Sequence, residues 1–237
     1  MRNLKAAYSL AIVFFGASFL AQQTKETVKS GNVENQMTVS GTGMYKDSES
    51  KEAQELFNQA TILGDKQDYK NAEKLYLKAL KADPKYVEAY DNLGLTYRRM
   101  GEYDKAIDNY KRSIELFPEG QTAHQNLAAI YGIKQDYKSA DKEYKAMLKN
   151  SPNDPEAYFG LANSSMMQSS FDDALVNAKK ALELYEAAKS PLVNDGQYMV
   201  GLIYYYKSDK ENAIKYLKMA KQNGAKIHPK VEKDLGL

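Results

Sequence analysis

The chain predicts an all-α fold of stacked, antiparallel helix pairs, and three observations carry that prediction. Alanines recur every 34 residues at Ala72, Ala106, Ala140 and Ala174. Aromatic residues follow in register at Tyr76, Tyr110 and Tyr144, and prolines at Pro84, Pro118 and Pro152. A row of small residues, Ala60, Gly94, Ala128 and Ala162, keeps the same period. A repeat of this length is one supersecondary unit. It must stack on its neighbours, because one helix pair cannot bury its apolar face alone.

The residue types fit those roles. Small residues let the helices of a pair approach closely, and Tyr and Leu fill the space around them. Proline cannot continue a helix interior, so it marks the handover between units. Asp68, Glu102, Asp136 and Asp209 fall at the internal turns, where an acidic side chain favours the positive start of the second helix. The pattern places helix pairs at 50–64/68–82, 87–100/103–117, 121–134/137–150, 155–168/171–188 and 194–207/210–223. The fifth unit keeps its internal spacing through Gly201, Tyr204, Ala213, Leu217 and Ala220. It is displaced, however: Ala174 to Ala213 is 39 residues, which inserts five around 189–193. In unit one, Gln59 stands where other units have Leu93, Leu127, Leu161 or Val200, as suits a terminal face meeting water. Unit four has Ser165 in place of a Tyr, and its second helix is expected to run long before Ser190-Pro191 stops it.

The stretch Tyr90, Leu93-Gly94, Tyr97, Gly101, Tyr103, Ala106, Tyr110, Pro118 resembles the tetratricopeptide repeat almost place for place. The resemblance spans about residues 49–224, with repeats near 53–86, 87–120, 121–154, 155–193 and 194–224. It implies a right-handed α-solenoid whose first helices line a concave groove that holds an extended peptide or a partner helix. Residues 225–237 form the C-terminal cap: His228-Pro229 starts a short helix with Val231 and Leu235 on one face. The cap reading competes with a tail folded into the groove.

Ahead of the repeats, residues 1–21 have the form of a secretory signal peptide. Arg2 and Lys5 are followed by sixteen uncharged residues, Ala6 to Ala21. Cleavage after Ala21 is one expectation and an uncleaved anchor the other, although the apolar run is short for a span of about 20 residues. Residues 22–48 are polar, with scattered apolar side chains, and read as a disordered linker that cannot offset its own ordering entropy. The expected location is the bacterial periplasm or cell envelope, or secretion.

Composition narrows the function. Lys and Arg number 33 against 31 Asp and Glu, and the two signs balance once Arg2 and Lys5 are set aside. A near-neutral chain lacks the concentrated positive field that nucleic acid or an anionic membrane needs, so no nucleic-acid partner is expected, and a membrane only through the uncleaved segment. The absence of cysteine excludes disulfides, a thiol nucleophile and a lipoprotein anchor. Of the two histidines, His124 stands where other units carry Tyr90 or Tyr158 and reads as a packing residue, and His228 lies in the tail. No phosphate loop, metal-type histidine pair or nucleophile elbow is present, so the expectation is a non-enzyme without metal or cofactor.

What remains is a protein or peptide partner. On the groove side implied by the resemblance, Asn58, Asn92 and Asn126 recur at the 34-residue period, and an amide can donate and accept to any peptide backbone. Asp91 and Arg98 add charge beside them. The other half is apolar: Phe159, Met166, Tyr198, Leu202 and Tyr205, with Asn163 among them. Gly160 and Met199 break the asparagine ladder. The clamp by which some family members grip acidic chaperone tails maps onto Phe57, Thr61, Asn92, Thr122 and Asn126, where only Asn92 fits. The alternatives to a peptide-binding scaffold are an anchored assembly subunit of an envelope complex and a small-molecule or glycan receptor.

Overall fold

Eleven helices make up almost all of residues 51–235. The computed structural model describes the backbone of residues 39–40 and 43–44 and the whole of 45–237; the expected export signal and most of the expected linker lie outside these residues. The helices pair as α1 (Lys51–Asp65) with α2 (Tyr69–Ala82), α3 (Val87–Arg99) with α4 (Tyr103–Leu116), and α5 (Gln121–Ile133) with α6 (Tyr137–Asn150). They continue as α7 (Pro155–Met167) with α8 (Phe171–Ala187) and α9 (Val193–Tyr206) with α10 (Lys210–Gln222), closed by α11 (Pro229–Leu235). From α1 to α10 each helix packs on the one before and the one after, and the first helices also meet directly, α1 with α3, α3 with α5, and α7 with α9.

The small residues do what their spacing predicts. Ala60, Ala72, Ala106, Ala140, Ala162, Ala174 and Ala213 are buried. Gly94 faces the Tyr110 ring so closely that a Cβ would fall 2.8 Å from it, and at Gly201 a Cβ would fall 2.7 Å from Leu217 Cγ. Asp68, Asp136 and Asp209 cap α2, α6 and α10 by accepting from Asn71, Ser139 and Asn212 N–H. Hydrogen bonds from the Ser139 and Asn212 side chains, joined by those backbone bonds, lower the Asp136 and Asp209 carboxyls from their usual value. Glu102 stands at the same place before α4 without a side-chain cap bond. The residue just before each of these four positions, and before Ser170 at the start of α8, is left-handed: Gln67, Gly101, Gln135, Ser169 and Ser208, at φ 60° to 76°. Five units therefore share one turn geometry, although one alone has glycine there.

The inserted residues behave as expected. Helix α8 runs 17 residues, and Lys189, also at positive φ, leads into Pro191. Helix α11 buries Val231 and Leu235 and ends at left-handed Gly236.

The linker's end departs from expectation. A two-residue antiparallel ladder pairs β1 (Val39–Ser40) with β2 (Gly43–Met44). Tyr45 and Ser48 are buried against the first two units rather than solvated. The cause is local chemistry. The Tyr45 hydroxyl donates to Asp91, its ring meets Phe117 edge-on at 5.4 Å, and the Ser48 hydroxyl donates to Asp83. Gln54 of α1 in turn donates to the Ser48 carbonyl.

Candidate functional site

Helix α3 holds the polar residues expected to face a partner, but the structure turns most of them inward. Asp91 is buried, with one carboxylate oxygen accepting from Tyr45. Arg98, two turns further along α3, is buried too; its Nη1 donates to Asn126 Oδ1 on α5 at 2.8 Å. Asn126 is thus a bridge between units two and three, not a free amide. Asn92 turns its side-chain amide back onto the Glu88 carbonyl of its own helix, at 3.0 Å. Of the asparagine ladder only Asn58 is exposed. The ladder stops at Gly160 for a steric reason. The Tyr144 ring of α6 lies across that position, and a Cβ there would fall 2.2 Å from the ring.

Burial governs the charges of this region. It pushes the Asp91 carboxyl up to about 6, opposed by the Tyr45 hydroxyl and the nearby His124 ring. It also lowers the Arg98 guanidinium from its usual value. Asp91 Oδ1, Arg98 Nη2, the Tyr110 hydroxyl and Ser113 Oγ are buried without a hydrogen-bond partner among the described residues. His124 is a packing residue as expected. Its Nδ1 lies 2.7 Å from Glu143 Oε2 and its Nε2 lies 3.1 Å from the Pro118 carbonyl, tying α5 to α6 and to the preceding turn.

The apolar half is also less open than its composition implies. Met166 and Leu202 are core residues at 1% and 2% exposure. Tyr198 bonds to the His228 backbone, and Tyr205 donates to Asp234 at 2.5 Å while accepting from Lys230. The terminal segment therefore sits on these two tyrosines. Phe159, tilted toward Tyr185 at 6.3 Å, stays half-exposed, as does Asn163.

Among the residues still half-open on successive first helices are two short rows. One is Leu95, Ala129 and Asn163; the other is Gln125 and Phe159; both keep the 34-residue spacing. Leu95 and Ala129 were missed because the expected face was phased on the asparagines, one turn away. The signal was present in the register, since Asn163 shares their place in the repeat. Among the described residues no group of three or more His, Cys, Asp or Glu is arranged to hold a metal, and no helix is long and apolar enough to cross a membrane.

Paired helices stacked at a fixed period, with the first helices side by side, define an α-solenoid. Residues 52–119 and 134–185 each match a family model of the tetratricopeptide repeat, and together they take in just over half the chain. The chain is a tetratricopeptide-repeat protein. No curated protein matches its sequence. Among solved structures it is similar to MamA residues 41 to the end from Desulfovibrio magneticus RS-1, at 16% identity and TM-score 0.66, covering 74% of this chain and 97% of that one. It is also similar to YrrB, described as a TPR protein with an unusual peptide-binding site, at 23% identity and TM-score 0.61, covering 77% and 91%. A third is BtubC from P. vanneervenii, at 21% identity and TM-score 0.64, covering 74% and 83%. At these identities the likeness is one of fold. Tetratricopeptide-repeat proteins generally act as scaffolds for protein–protein interaction.

Proposed function

We propose that the chain is an exported, non-enzymatic scaffold of the periplasm or cell envelope that holds a partner segment along its first helices. The observation that carries this reading is the pair of half-open rows, Leu95–Ala129–Asn163 and Gln125–Phe159, on helices that succeed one another through three units. A segment laid across α3, α5 and α7 meets an aliphatic, an amide and an aromatic contact in turn. That mixture suits a peptide with both backbone amides and apolar side chains. The form of residues 1–21 supports export.

Two experiments test the two parts. A photo-crosslinking residue at Ala129 should capture a discrete partner from envelope extract, and Leu95→Glu with Phe159→Ala should abolish that capture while leaving helical content unchanged. Capture that survives the double substitution refutes the site. N-terminal sequencing of the mature protein should give a start near Gln22; a chain starting at Met1 refutes cleavage.

A further inference from the structure

The segment before α1 is held by recognition chemistry rather than by packing alone. Residues 45–48 run past the turns that join the first three units, Asp83–Tyr86 and Phe117–Gly120. The contacts that hold them include the Tyr45 hydroxyl on buried Asp91, the Tyr45 ring edge-on to Phe117, the Ser48 hydroxyl on Asp83 and the Gln54 side chain of α1 on the Ser48 carbonyl. Among the described residues no backbone–backbone hydrogen bond joins 45–49 to a helix. A recess of about 630 Å³ opens between this strap and the unit-joining turns, with Val87, Leu116 and Phe117 on its apolar side.

A strap needed only to seal the end of a solenoid would be served by apolar side chains. A buried carboxylate is costly unless a donor meets it, and an apolar pair of the same size often does as well or better. Asp91 instead makes the seat selective for a hydroxyl, and Asp83 repeats that demand three residues along the strap. We propose that this seat is a docking site for an extended partner segment carrying a tyrosine followed three residues later by a serine, and that residues 45–48 are its built-in, displaceable occupant. Asp91 holds, one unit earlier, the repeat position of Gln125 and Phe159, but the seat uses none of the half-open residues themselves, so either proposal can fail without the other.

Tethering gives the strap an effective concentration on the order of millimolar, so an incoming segment of equal intrinsic affinity is held off until it exceeds that level or makes further contacts in the recess. The probe is a fluorescent synthetic peptide of residues 42–51, followed by anisotropy against the full chain. Tyr45→Ala should bind it saturably, at least about tenfold more tightly than the unsubstituted chain, the scale set by losing one hydrogen bond to a charged acceptor. Adding Asp91→Asn, or replacing the peptide's tyrosine by alanine, should remove that binding. Equal binding to the Tyr45→Ala and unsubstituted chains, or binding indifferent to Asp91→Asn, overturns the proposal. Should Tyr45→Ala lose helical circular dichroism, Tyr45→Phe keeps the ring on Phe117 and drops only the hydroxyl. It should still bind the peptide more tightly than the unsubstituted chain, and no gain overturns the idea. A dimer of Tyr45→Phe that the peptide dissolves would assign the seat to a second copy and likewise overturn a separate partner.

Discussion

Gly160→Ala should destabilise the chain even though alanine is the better helix former. In an exposed helix interior the substitution gains about 0.8–1 kcal/mol. At Gly160 the new Cβ falls 2.2 Å from Tyr144 Cζ and 2.3 Å from Cε1, where contact between carbons needs about 3.5–4.0 Å. The ring must retreat by more than 1 Å, roughly, into a neighbourhood already filled by α6 and α7. Overpacking of this kind costs about 1–3 kcal/mol, so the net expectation after the helix gain is a loss of up to about 2 kcal/mol. The assay is urea denaturation followed by far-ultraviolet circular dichroism, with two companions. Gly132→Ala in α5, where a Cβ meets nothing within 4 Å, should stabilise by about 0.5–1 kcal/mol. Gly160→Ala placed on Tyr144→Leu should lose most of its penalty. If Gly160→Ala raised the midpoint as much as Gly132→Ala does, the steric account of the broken ladder would be wrong.

Three further outcomes follow from the same geometry. Asn126→Ala strands the Arg98 guanidinium without its partner and should cost about 2–3 kcal/mol, and adding Arg98→Met should recover at least half, read as a double-mutant cycle. Burial raises the Asp91 carboxyl to about 6, so the folded state holds that proton more tightly than the unfolded chain, whose Asp titrates near 4. The Asp91 contribution to stability should therefore fall as pH rises from about 4 through about 6, and Asp91→Asn should flatten that part of the profile of urea midpoint against pH. Tyr205→Phe removes the hydroxyl that joins α9 to Asp234 and Lys230, so amide exchange in Pro229–Leu235 should accelerate while the global midpoint stays put.

The helix boundaries were legible because every unit repeats the same punctuation: proline after α2, α4 and α6, an acid at four of the five internal turns, and a small residue at each close approach. Expected and observed ends differ by one residue at most, even across the displaced fifth unit. The orientation of polar side chains was less legible. Arg98 reads as a surface residue by type, and only its pairing with Asn126 across a unit boundary explains its burial. Tyr45 belongs to no period and sits in a polar stretch, so nothing local marks it as packed; its partners Asp91 and Phe117 lie 46 and 72 residues away. Tyr198 and Tyr205 were expected on an open face of α9, but the terminal segment that covers them contributes contacts a periodic pattern does not encode.

The left-handed residue at each internal turn has a consequence for anyone lengthening such an array. Gln67, Gln135, Ser169 and Ser208 take a backbone shape that disfavours a side chain by about 1–2 kcal/mol apiece, while Gly101 takes it without that strain. A tandem designer should therefore duplicate residues 87–120, since a concatemer of any other module would multiply the same small burden with every copy.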